Sequence, residues 1–286
     1  MEKSYNNLVV MGDPIIDFYI NSNQNVYDQR NGGALNVFMN ARQLKSINTF
    51  FFPSESELLL AKQNPLLNEN LKPNIIYNPI YYYILRINNE QDLPFSEPEL
   101  KTSFYKWVFS QRKYDILNYS IDLESSTLVL SDYNKGTLNK NPFFEKINNQ
   151  FKLCVVDTRY RSINLEYLKL SKLNIWRCTG SEYDKDFAIN FDYTIWTNAE
   201  APVKILNKSQ ECLAVINFNP VPKDKVKDTC GAGDTFTASF AAYLSCLEQR
   251  PTVQNLKDAC HFSLECCQEV IQLNRTSITT KKINIQ

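Results

Sequence analysis

Short, nearly unbroken apolar runs alternate along this chain with stretches whose apolar residues recur at helical spacing. Leu8–Met11, Thr127–Leu130, Leu153–Val156, Asn174–Trp176 and Tyr193–Trp196 are short and hydrophobic, which predicts buried strands. They lack the polar alternation of a half-solvated sheet, so a parallel sheet covered on both faces is expected. Ala34–Leu44, Glu99–Phe109 and Asn255–Gln272 carry the helical period, as do Phe236, Phe240, Ala241, Tyr243, Leu244 and Leu247. Such alternation predicts an α/β domain with a ligand crevice at the carboxyl ends of its strands.

Residues 18–31 and 75–95 break the pattern. They are rich in Asn, Gln and Tyr, and Tyr81–Ile87 alternates enough to be a strand. Lying between core elements, they are expected to form a small flap over the crevice. Neither an internal repeat nor a linker rich in Pro, Gly or Ser divides the sequence. A single domain over 1–286 with a small lid is the expected organisation.

Charge changes the picture only by exclusion. With 31 basic and 31 acidic residues, the chain has no bias towards nucleic acid or an anionic membrane. No apolar run approaches the roughly 18 residues of a membrane helix, so a soluble cytoplasmic protein is expected. The eight cysteines include no C-x-x-C pair, which favours free thiols over zinc ligation. His261, the single histidine, sits in a late helical pattern and gives little basis for a histidine base. Glycine is scarce, so its placement is informative: Gly12, Gly32, Gly33, Gly231 and Gly233 all fall in candidate site turns.

The chemistry concentrates in Asp228-Thr-Cys-Gly-Ala-Gly-Asp-Thr-Phe236. Gly231, Ala232 and Gly233 let backbone N–H groups converge on an anion where a helix opens, and the helix dipole favours negative charge there. Asp234 follows directly, where a transferred phosphoryl group would meet an acceptor hydroxyl. The competing reading is a tight turn with an aspartate cap. In Asn31-Gly-Gly-Ala-Leu-Asn36, Gly32 and Gly33 permit close backbone approach to a ligand, and Asn36 offers both donor and acceptor to hydroxyl groups. Asp13 ends the first strand as a second hydroxyl-binding candidate. Asp17 is expected one helical turn later, either in the site or as a solvated acid. Asp132 and Lys135 are opposite charges just beyond a buried strand, with Lys135 either reaching a phosphate or standing solvated. Val155-Val-Asp-Thr-Arg159 is a further strand ending in a carboxylate.

Asp228–Phe236 resembles the D-T-x-G-A-G-D signature of the ribokinase-like (PfkB) carbohydrate kinases, and Gly32–Ala41 resembles that family's G-G-x-x-x-N-x-A segment. Leu128–Leu138, carrying S-D-Y-x-K-G-x-L, and Gly12–Asp17 are similar to the branch that phosphorylates D-glycero-D-manno-heptose 7-phosphate. The resemblance implies a three-layer α/β fold, with a mostly parallel central sheet, helices on both faces and a small, reduced β lid. It also implies ATP and Mg2+, a sugar or sugar phosphate as acceptor, and Asp234 as general base beside a Gly231–Ala232–Gly233 anion hole. Asp13, Asp17, Gly32, Gly33, Asn36 and Lys135 would face the acceptor, while Thr197, Asp228 and Thr229 would face the nucleotide. Cys178-Thr-Gly-Ser-Glu182 stands where the family has N-x-x-E, so Glu182 would help hold magnesium through water, with Thr179 replacing the asparagine. Lids of this family often pair, so a homodimer through 75–95 is implied.

The sequence departs from the family in several places. The stretch from Tyr19 to Gly32 is short, Thr158 and Arg159 replace the last two residues of the branch's D-P-K, and Pro53–Glu57 replaces a glycine-rich stretch. Thr197-Asn-Ala-Glu-Ala-Pro202 has lost both glycines of the T-x-G-x-x-G nucleotide turn. The alternative these losses raise is a ribokinase-fold protein, catalytically weakened, that binds a ligand or serves as a scaffold.

Overall fold

A computed structural model describes residues 7–20, 26–44, 48–52, 82–87, 122–134, 138, 151–159, 161, 163–274 and 277–283. The helix expected at Glu99–Phe109, Lys135 and residues 75–81 and 88–95 lie outside the described residues.

All of the expected strands form. β1 (Asn7–Gly12), β6 (Thr127–Asp132), β7 (Leu153–Thr158), β8 (Asn174–Thr179) and β9 (Tyr193–Asn198) run parallel, with β4 (Asn48–Phe52) on the far side of β1. β10 (Ala201–Asn207) and β11 (Cys212–Ile216) add antiparallel, giving the eight-stranded order β11-β10-β9-β8-β7-β6-β1-β4. A separate three-stranded sheet joins β2 (Pro14–Ile20), β3 (Val26–Gly32) and β5 (Tyr82–Ile87) in the order β3-β2-β5.

The unbroken hydrophobicity of the central strands has its cause in this arrangement. Leu8, Val10, Val129, Val155 and Ile175 face a core shared with α1 (Gly33–Gln43), α3 (Ala232–Ser245) and α4 (Val253–Val270). Val9, Met11, Leu128, Leu130, Val156 and Trp176 face a second core, which includes Phe191, just beyond the short helix α2 (Lys185–Ala188). Successive side chains point to opposite faces and both faces are buried, so no position along β1, β6 or β7 is left for a solvated residue.

Helix boundaries follow local chemistry. α4 begins at a reciprocal cap in which Thr252 and Asn255 side chains each accept the other's backbone N–H, at 3.2 and 3.0 Å. α3 begins at Gly231, whose φ of 80° is the left-handed conformation that glycine adopts without strain. The chain at Asp17 differs from expectation: it is extended in β2, paired with Arg30 and Ile84, and not one helical turn beyond Asp13. Strand pairing with β3 and β5 outweighs the i, i+4 spacing there.

The backbone registers Gly12 against Ser131, Ser131 against Asp157, and Asp157 against Arg177, so the polar ends of four neighbouring strands form one rim. The Phe240 ring is fully buried at the centre of α3 and stacks on Phe236 at 6.0 Å. Phe240→Ala is expected to cost about 3–5 kcal/mol of stability, read from urea unfolding.

Candidate active site

Asp234 lies in the first turn of α3, 4% exposed, and both its carboxylate oxygens are engaged. Asn36 Nδ2, from α1, donates to Oδ2 at 3.1 Å, and Tyr133 Oη, from the loop after β6, donates to Oδ1 at 2.6 Å. Asn36 is itself fixed, because Asn40 Nδ2 donates to its Oδ1 at 3.0 Å, and Asn40 Oδ1 accepts the Thr279 N–H at 3.0 Å. Burial pushes the Asp234 carboxyl up to about 6; the Tyr133 and Asn36 hydrogen bonds and the Arg159 cation oppose that shift, and Asp157 adds to it. A carboxylate so placed is ionised near neutrality and basic enough to take a proton.

Beside Asp234 opens a cavity of about 520 Å³ whose lining includes Arg177, Thr197, Thr229, Gly231, Gly233 and Asp234. Its lining also includes the apolar residues Val203, Phe218, Val226, Leu264 and Ile271. The first-turn amides of a helix have no intrahelical acceptor, which makes the head of α3 attractive to an anion. One of the three expected amides is diverted, since Ala232 N–H bonds back to the Thr229 carbonyl at 3.2 Å.

The floor of that cradle is a cation that the sequence reading missed. Arg177 is 7% exposed, and a Cβ built on Gly233 would stand only 3.1 Å from its Nη1. Its guanidinium pairs with Asp157 Oδ2 at 3.4 Å and donates to Thr197 Oγ1 at 3.1 Å, while Nε has no partner among the described residues. Asp157 Oδ2 also accepts from Thr237 Oγ1 of α3 at 2.6 Å. Burial works against the charged guanidinium, but Asp157 and Glu182, with Cys267 and Cys178, together raise the Arg177 pKa. The available signal was one arginine inside the apolar strand Asn174-Ile-Trp-Arg-Cys, since a charge there is rarely buried without a partner or a task. Tyr133 was likewise missed, though it stands within the S-D-Y-x-K-G string.

Several expected ligand-facing residues have other partners. Asp13 is fully buried and accepts the Tyr133 N–H at 2.8 Å, so it holds that loop. Gly33, at φ 55°, has no room for a Cβ because the Asp13 carbonyl would lie 2.6 Å from it. Gly32 precedes α1 in extended conformation. Together these glycines let α1 close on Asp13, where Ala34 N–H donates to the Asp13 carbonyl at 3.0 Å. Asn36 commits one of its two amide hydrogens to Asp234. Asp228 is buried below its turn and accepts the Cys230 N–H at 2.8 Å, so it shapes the loop, whereas Thr197 and Thr229 do line the cavity.

Glu182 also lines the cavity, half-buried, with Oε2 accepting the Thr179 N–H at 2.9 Å and its pKa raised by burial. One oxygen is thus committed to the turn. Among the described residues no group of three His, Cys, Asp or Glu could hold a metal by itself. That donor set suits a magnesium ion held mainly by phosphates and waters, with Glu182 as an outer contact. All eight cysteines are free thiols.

The lost glycines of the 197–202 turn have left a trace. Ala199, between β9 and β10 and on the cavity wall, has φ 43°, the left-handed conformation a glycine would adopt freely. Ala199→Gly is expected to raise stability by about 0.5–1 kcal/mol in urea unfolding, the left-handed penalty less glycine's unfolded-chain entropy. Arg177→Leu is expected to cost about 3–5 kcal/mol in the same measurement, because Asp157 is left buried without its counter-charge.

Residues 208–283 match the model of the pfkB family carbohydrate kinase. No curated protein matches the sequence. Among solved structures, fructokinase from Vibrio cholerae O395, in its fructose, ADP and calcium ion bound form, superposes with a TM-score of 0.62 at 11% identity, covering 98% of this chain and 97% of that one. The nucleoside kinase of Methanocaldococcus jannaschii gives 0.61 at 14% identity, covering 97% and 95%. Ribokinase from Thermotoga maritima gives 0.56 at 16% identity, covering 96% and 97%. The chain therefore has the ribokinase-like fold, and its C-terminal part is similar to the pfkB family carbohydrate kinases.

Proposed function

We propose that this protein is an ATP-dependent kinase of a sugar or sugar-phosphate hydroxyl. The observation that carries the reading is a buried carboxylate, Asp234, with a pKa of about 6, at the head of a helix that opens onto the cavity. The apolar residues of the lining would take the nucleotide base, and the head of α3 the phosphates. Thr197 and Thr229 also line the cavity. Magnesium, when bound with the nucleotide, would neutralise phosphate charge, with Glu182 reached through water.

Asp234 would accept the proton of the attacking hydroxyl. Charge building on the transferred group would meet the Gly231 and Gly233 backbone and the Arg177 cation beneath it. Phosphoryl transfer of this type needs no covalent phospho-enzyme.

The similarity of Leu128–Leu138 to the heptose branch makes D-glycero-D-manno-heptose 7-phosphate, phosphorylated at position 1, the first acceptor to test. Asp13, Asp17, Gly32, Gly33, Asn36 and Lys135 are the candidates for its contacts. The three-stranded sheet β3-β2-β5 would serve as the lid, and pairing through it would give a homodimer. A second reading, a ligand-binding or scaffolding protein without efficient catalysis, is favoured by one observation: Ala199 holds a strained turn where a nucleotide loop would carry glycine.

The test is ADP release with Mg-ATP against a panel of sugars and sugar phosphates. Turnover on at least one acceptor is expected, with kcat/KM rising about tenfold per pH unit up to about pH 6 and level above it, because only ionised Asp234 accepts a proton. Asp234→Asn is expected to lower kcat by on the order of 10²–10⁴ while nucleotide binding by calorimetry is kept. Nucleotide binding without turnover on any acceptor supports the second reading.

A further inference from the structure

Tyr133 has no part in the phosphoryl-transfer scheme above, yet it makes the shortest contact of the proposed base. Its phenol O–H reaches Asp234 Oδ1 at 2.6 Å, the length of a hydrogen bond to an ionised oxygen. Its backbone N–H is held by the fully buried Asp13 carboxylate at 2.8 Å, and the Arg159 guanidinium lies 4.5 Å over its ring. The ring is therefore fixed at its backbone, its face and its hydroxyl. Burial and the neighbouring Asp234 charge raise the phenol's pKa well above its usual value, so the hydroxyl remains a donor throughout the working pH range.

We propose that Tyr133 is a positioning residue for Asp234: its hydroxyl fixes one carboxylate oxygen so that the remaining lone pairs face the acceptor hydroxyl, with Asp13 holding the Tyr133 loop in register. This rests on the reading of Asp234 as the general base. A carboxylate has about four lone-pair sites, so the Tyr133 and Asn36 bonds leave room for the acceptor's proton. The arrangement also biases the ionisation of the base. The groups facing Asp234 are Tyr133 after β6, Asn36 of α1, and Asp157 and Arg159 at the end of β7. Of these, Tyr133 is the strongest influence favouring the ionised form. Asp13 thus acts two contacts away from the chemistry, which accounts for a buried strand-end carboxylate that does not line the cavity.

The experiment is an NMR titration of the unliganded protein labelled at the aspartate carboxyl carbons, with Asp234 assigned by its loss in Asp234→Asn. In the parent protein the Asp234 midpoint is expected near pH 6. In Tyr133→Phe it is expected to rise by about one pH unit, since a hydrogen bond to a charged group is lost. The acid limb of kcat/KM should move up with it, with kcat down about tenfold. A second variant, 3-fluorotyrosine at position 133, keeps the shape and strengthens the donor, so the midpoint should fall below the parent's; this arm decides the matter if Tyr133→Phe does not fold. An unmoved midpoint in a folded variant overturns the role of Tyr133 even if the parent turns over sugar. A parent without turnover on any acceptor overturns the kinase reading instead.

Discussion

The arrangement of this molecule converges on one buried carboxylate. Asp234 is shielded from water, a state that is costly for a charge unless donors replace the lost hydration. Those donors come from distant parts of the chain: Asn36 lies 198 residues away and Tyr133 lies 101 residues away. Both contacts exist only if α1, the end of β6 and the first turn of α3 meet at one rim. The parallel register of β1, β6 and β7 brings about that meeting. Gly33 allows it, because a side chain there would strike the Asp13 carbonyl and hold α1 off.

A second polar assembly lies next to the first and faces the opposite demand. Arg177 must remain charged in a buried strand, and Asp157, Thr197 and the Gly233 backbone surround it. Thr237 ties Asp157 to α3, so the cation beneath the helix head and the helix itself are held by the same carboxylate. Carboxylate and cation are thus supported from one network, with Asp157 raising the pKa of both Asp234 and Arg177. Coupling of this kind is common where charge must develop and be neutralised in a small volume.

Much of the fold was legible because buried parallel strands leave a plain signature. Leu8–Met11, Thr127–Leu130 and Leu153–Val156 cannot be half-solvated, and the structure buries each of them. Asp234 and the helix opening at Gly231–Gly233 were also legible, since glycine followed by a carboxylate at a helix start is a local device. Asp17 was misplaced because i, i+4 spacing says nothing about strand partners, and its neighbours in the small sheet come from Arg30 and Ile84. The loss of both glycines at 197–202 was legible, but only the structure shows that Ala199 keeps the left-handed backbone and carries the strain.

Local pattern alone specifies the elements, the two-faced burial of the sheet and the placing of Asp234 at the head of a helix. Each of these depends on periodicity or on chemistry within one turn of chain. The tertiary structure decided which groups surround that carboxylate. Asp13, Asn36 and Asp228, read from the sequence as ligand-facing, each also support backbone or another side chain. Tyr133 and Arg177 drew no attention in the sequence, yet they lie against Asp234 and Gly233. A hydrogen-bond partner is chosen by distance in space, and neither composition nor spacing along the chain records the crossings that bring β6, β8 and α3 together.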